Sequence, residues 1–88
     1  MTPSDAAMTR RAIALWHGHA RDAARRAVAL LRTARVLPEA CSVSSSFLHT
    51  QALSSALEAL EWKRRARDLA LGLRRLERHD EGKREASR

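Results

Sequence analysis

Apolar residues recur at alternating steps of three and four in two long stretches, separated by a proline and a serine run. In the first stretch these positions are Ile13, Trp16, Ala20, Ala23, Ala27, Leu30, Ala34 and Leu37; in the second they are Leu48, Ala52, Ser55, Ala59, Trp62, Ala66, Leu69, Leu73 and Leu76. That spacing puts each set on one stripe of an α-helix. Ser4 or Asp5 is the expected N-cap, and Gly18 is the only weak point before Pro38. Pro38 ends the first helix by lacking a donor and by restricting Leu37, and the stretch Cys41 to Ser46 offers turn and capping hydroxyls. The expected order is helix one at about 5–37, spanning on the order of 50 Å, a turn at 38–46, helix two at about 47–79, and a polar, disordered tail at 80–88.

Folding back at the turn pairs the stripes antiparallel, with Leu37 near Leu48, Ala27 near Ala59, Ala23 near Trp62, Ala20 near Ala66 and Trp16 near Leu69. Large residues then meet small ones along the seam, which is what close packing requires. The fold class is all-α, a coiled-coil-like antiparallel two-helix hairpin forming a single domain over 1–88. With only 88 residues the chain buries a small share of its surface. Completion by dimerisation or by a partner chain is therefore expected.

A second apolar stripe strengthens that expectation. Leu53, Ala56, Leu57, Leu60 and Leu71 lie more than a quarter turn from the seam of helix two, so one seam does not cover both stripes. Leaving each large side chain in water forgoes roughly 1.5–3 kcal/mol. Three coverings are compatible with the pattern: the edge of the hairpin's own core, a homodimer face, or a docking face for another protein.

Composition supports helix throughout, being rich in Ala, Leu, Arg and Glu, with one Phe and no Tyr. Formal net charge is +7. Arg10, Arg21, Arg25, Arg32 and Arg35 fall on one arc of helix one, and Lys63, Arg64, Arg65, Arg67, Arg74, Arg75 and Arg78 add charge to helix two. Such an arc serves as an electrostatic rim for a docked protein, contacts phosphates, or is simply the solvated side opposite an apolar seam. An Arg-rich, Lys-poor chain also reflects a GC-rich genome. No aromatic residues are interleaved with the cations for base stacking.

Catalytic chemistry has no motif here: there is no Gly-rich phosphate loop, no nucleophile elbow and no apolar-flanked carboxylate pair, so no enzyme activity is expected. No metal or cofactor is expected either. His17 and His19 are two apart and face different sides, while Cys41 has only the distant His49 as a companion. The ligand pattern of copper- and nickel-sensing helical repressors, which share this size and basicity, is missing. One cysteine, no secretory signal pattern over Met1 to Arg11 and no long apolar run point to a cytoplasmic location.

Two segments resemble a known family. His19, Ala20, Arg21, Asp22, Ala24 and Arg25, continuing to Leu31, Arg32, Thr33, Ala34 and Arg35, are similar to the first helix of the small helical-hairpin co-chaperones of bacterial type III secretion systems. Leu53, Ser54, Ser55, Ala56, Leu57 and Glu58, followed by Glu61, are similar to their second helix. The resemblance runs from about Leu15 to Arg67. It implies a cytoplasmic protein that pairs with a tetratricopeptide-like chaperone, the two keeping an aggregation-prone secretion subunit monomeric before export. The alternative from charge alone is a basic module that binds nucleic acid, or a small phage-type inhibitor of a nucleic-acid-binding machine.

Overall fold

A computed structural model describes residues 2–39 and 42–87 of the chain. Two helices account for the architecture: α1 over Pro3–Val36 and α2 over Ser42–Ala86. They pack side by side into an antiparallel hairpin, 74 × 16 × 12 Å along its principal axes. Among the described residues no helix is long and apolar enough to cross a membrane.

The seam follows the three-four pattern. Ala20, Ala23, Ala27 and Ala34 of α1 are buried, as are Ala52, Ala59, Ala66 and Leu73 of α2. Ile13, Trp16, Leu30 and Leu37, with Leu48, Ser55, Trp62 and Leu69, are half-buried around them. Alanine contributes no side-chain entropy cost and little bulk, so the two backbones approach closely and shield each other along their length. Arg26 pairs with Glu58 at 2.9 Å and Arg10 pairs with Glu77, which fixes the antiparallel register. Ala27 is thereby set beside Ala59, as the pairing of stripes requires.

Four boundaries differ from the sequence expectation. Helix one starts at Pro3, capped by Thr2 rather than by Ser4 or Asp5: the Asp5 amide donates to Thr2 Oγ1 at 3.1 Å, and the Thr2 amide donates back to Asp5 Oδ2 at 3.4 Å. This reciprocal capping box, with Pro3 at the first helical position, needs Asp5 inside the helix. The helix ends at Val36, where Leu37 turns extended (φ −71°, ψ 140°) ahead of Pro38.

Helix two begins at Ser42, so serines 42, 44, 45 and 46 belong to it instead of to the turn. Serine is tolerated in a first turn, where backbone amides have no intrahelical partner, and the following turns are already held by Leu48 on the seam. The expected turn residues 40 and 41 lie outside the described residues.

The tail expected to be disordered is helical through Ala86. Its Glu, Lys, Arg and Ala content favours helix, Lys83 and Arg84 suit the negative end of the dipole, and it lies beside the start of α1. Thr2, Pro3, Ala6 and Arg10 share a shallow depression there with Glu77, Asp80, Glu81 and Arg84.

Leu76 is the one expected seam residue that leaves the seam, being 51% exposed. Past Leu73 the half-buried positions are Glu77 and Asp80. A helix of 3.6 residues per turn drifts against a seven-residue repeat, and without a large apolar partner on α1 at this level nothing pulls Leu76 back.

Gly18 and Gly72 sit inside the helices, and a Cβ at either would meet nothing within 4 Å. Replacing each with Ala is expected to stabilise the hairpin by about 0.5–1 kcal/mol. Ala23→Leu, by contrast, is expected to cost about 1–3 kcal/mol, because the seam has no room for an isobutyl group. Thermal and urea unfolding followed by circular dichroism checks both signs.

Candidate functional site

The seam and its two interhelical ion pairs define two flanks. Arg10 follows Ala6 by four, and Glu77 follows Leu73 by four; this pair closes one flank. Arg26 precedes Ala27 by one, and Glu58 precedes Ala59 by one; this pair closes the other. In an antiparallel pair of helices, positions with the same offset from the seam share a flank, so the offset alone assigns each remaining side chain.

On the Arg26–Glu58 flank the structure gathers aromatic and charged groups. The Trp62 ring lies 4.8 Å from the His19 ring and 6.2 Å from the Trp16 ring, centroid to centroid, both tilted. The Arg65 guanidinium sits 5.2 Å from the Trp62 ring centroid, within cation–π range, and its Nε donates to Glu61 Oε1 at 3.2 Å. The pairing of stripes sets Trp62 at the level of Ala23, which is fully buried, but does not give the ring contacts: the Trp62 indole reaches along the seam to His19 and Trp16. This cluster ties the hairpin together and consumes the charges near it.

The flank closed by Arg10 and Glu77 is different over the half nearer the connection. Ala24 and Leu31 stand four residues after seam alanines on α1, and Ala56 does so on α2. Val28, Leu53 and Leu60 stand one residue after seam alanines, on the outer side of the same flank. Ala24 and Ala56, both half-buried, occupy inner positions of this flank, one on each helix. Leu53 is 61% and Leu60 62% exposed along its edge. Leu57, 58% exposed, continues the apolar surface onto the back of α2. Of the sequence-derived candidates, Leu53, Ala56, Leu57 and Leu60 are thus brought together. Leu71 is not: it is 39% exposed and separated from Leu60 by Lys63, Arg64 and Arg67, about 16 Å along the helix.

Val28 and Leu31 complete the face from α1 and were not among the residues singled out by the sequence. Their signal was present, since they stand one and four residues after Ala27, as Leu53 and Ala56 do after Ala52. A shallow depression on α1 next to them is lined by Ala24, Arg25, Val28, Ala29 and Arg32.

The arginine arc divides. Arg10 is engaged by Glu77 at the far end of the hairpin, and Arg25 reaches back 3.9 Å to Asp22. Arg21, Arg32 and Arg35 make no ion pair among the described residues and border the apolar face. No group of three or more His, Cys, Asp or Glu that could hold a metal occurs among the described residues. His49 Nδ1 donates to the Ser45 carbonyl at 2.7 Å, an internal helix contact; Cys41 lies outside the described residues. Comparison with protein families, curated proteins and solved structures gives no match.

The exposure of the leucines has a direct consequence for folding. Leu57→Asp is expected to change unfolding free energy by no more than about 0.5 kcal/mol, as for other surface positions. Ala59→Asp, two residues along but buried in the seam, is expected to unfold the hairpin by burying an unpaired carboxylate. Urea titrations of the two variants make the comparison.

Proposed function

We propose that this hairpin is a non-enzymatic protein-binding module that serves as a cytoplasmic co-chaperone in bacterial type III secretion, stabilising a partner chaperone or secretion subunit before export. The observation that carries it is the apolar face of Leu53, Leu57 and Leu60, which the hairpin leaves in water beside Val28 and Leu31 of α1.

Covering each of these leucines adds roughly 1.5–3 kcal/mol at full burial. The gain is available only to a partner, since the hairpin's own seam is lined by alanines and leaves Leu53, Leu57 and Leu60 58–62% exposed. A seam of alanines buries little apolar area per residue, so a partner that binds only the folded hairpin also raises its stability by mass action. The resemblance of the segment from Leu15 to Arg67 to the small hairpin co-chaperones supplies the biological setting, with a tetratricopeptide-like chaperone as the partner.

A second reading, nucleic-acid binding, has one observation in its favour: Arg21, Arg32 and Arg35 lie along one side without ion pairs among the described residues. Leucines at the centre of the same face speak for a protein, because phosphate contacts leave them unburied.

The test is co-purification and calorimetry with any tetratricopeptide-like chaperones encoded beside this chain's gene. The wild-type chain is expected to form a stable complex with one of them, and Leu53→Asp with Leu60→Asp to lose roughly hundredfold or more in affinity while keeping the far-ultraviolet circular dichroism of the hairpin. Undiminished binding by the double variant contradicts the assignment of the face. Duplex DNA binding that falls steeply with salt, and with Arg21→Glu and Arg32→Glu, favours the second reading.

A further inference from the structure

The charges around the apolar face are distributed in a way that specifies the partner. Residues on the outer side of this flank and on the adjoining back of each helix, over 17–37 of α1 and 43–71 of α2, include no carboxylate at all. The carboxylates of the two helices over those spans are Asp22, Glu58, Glu61 and Asp68. Glu58 precedes a seam alanine by one, and the others follow one by two, which places all four on the opposite side. There Glu58 and Glu61 are engaged by Arg26 and Arg65. On the apolar side Arg21, Arg32, Arg35, Lys63 and Arg67 make no ion pair among the described residues.

Resting on the protein-binding reading above, we infer that the occupant of this face is a short amphipathic helix of a partner protein whose apolar stripe is bordered by Asp or Glu. Small Ala24 and Ala56 at the inner positions of this flank, with Val28, Leu31, Leu53 and Leu60 exposed around them, leave an apolar strip of the kind that receives a third helix. The apolar stretch from Leu53 to Leu60 is about 12 Å long and accommodates two to three turns of such a helix. Cations at both ends, Arg35 at one and Arg21, Lys63 and Arg67 at the other, with Arg32 along the α1 edge, then meet the partner's carboxylates, which sets orientation and register.

A second copy of this chain fits poorly. Pairing the face with itself sets cations against cations with no carboxylate on either side, and like charges juxtaposed at an interface cost several kcal/mol. A nucleic acid leaves the leucines uncovered. The partner helix satisfies both the apolar and the charged components.

The experiment uses the full chain and three fluorescent synthetic helical peptides. One carries leucines at i, i+3, i+4 and i+7 with Glu on both borders; the second has Lys in place of each Glu; the third has the composition of the first in scrambled order. Fluorescence anisotropy is expected to show saturable binding of the Glu-bordered peptide, at least about tenfold tighter than the Lys-bordered one. A variant with Arg21→Glu, Arg32→Glu and Arg67→Glu is expected to reverse that preference, and Leu53→Asp with Leu60→Asp to abolish binding of both ordered peptides.

No saturable binding of the Glu-bordered peptide overturns the inference, as does equal affinity for the Lys-bordered or the scrambled peptide. Tighter binding of duplex DNA or of phosphatidylglycerol vesicles through the same arginines overturns it in favour of a polyanion. A dimer by light scattering that the leucine variant dissolves overturns it in favour of a second copy. If the chaperone complex described above depends on Leu53 and Leu60 but not on the three arginines, the protein-binding reading stands and the charge assignment falls.

Discussion

Close approach of two helix backbones through alanine is the constraint from which the other features of this hairpin follow. With Ala20, Ala23, Ala27 and Ala34 on one side and Ala52, Ala59 and Ala66 on the other, the contact is a narrow strip and not a thick core. Such a seam shields backbone hydrogen bonds and gains dispersion contacts efficiently. It also leaves little space for large side chains, most of which stand at the edges, with Leu73 the large residue buried in the seam. The two half-buried tryptophans meet at one edge, where Trp62 also contacts His19 and Arg65. The leucines of α2 are left at the other edge and on the back, without a counterpart in the chain.

The two flanks consequently have different chemistry. One is closed: aromatic rings, an ion pair across the seam and carboxylates matched to arginines leave little to offer a partner. The other has the Arg10–Glu77 pair at the far end, and its half nearer the connection is apolar at the centre and cationic at its ends and along α1. Surface ion pairs such as Arg26–Glu58 contribute at most about 1 kcal/mol each. Their value is in fixing which flank is which, and hence in placing Val28 and Leu31 beside Leu53 and Leu60.

Much of this was legible in the sequence because helical periodicity is a local property. Steps of three and four from Ile13 to Leu37 and from Leu48 to Leu73 mark the seam without reference to anything else, and the exposed stripe of Leu53, Leu57 and Leu60 follows from its angular offset. What depended on the other helix was less legible. The meeting of Trp16 with Trp62 and the contribution of Val28 and Leu31 follow from the flank that antiparallel pairing assigns to each. Helix ends are less legible, because polar residues serve a helix terminus as readily as a disordered tail. Residues 80–86 are polar yet made of good helix formers beside the capped start of α1, and the serines from 42 to 46 occupy a first turn in which they are tolerated. Leu76 lies where the repeat and the helix pitch have drifted apart.

The central claim is that the leucine face belongs to a partner and not to the hairpin itself. Its most direct test is thiol accessibility in a Cys41→Ser background carrying a single cysteine at position 57, with a second chain carrying it at position 59 as the buried reference. In dilute isolated protein, alkylation at 57 is expected to proceed at close to the rate of an unstructured peptide while 59 is protected, and addition of the partner chaperone is expected to protect 57 as well. Protection of position 57 in the isolated monomer, or free reaction there in the complex, contradicts the account.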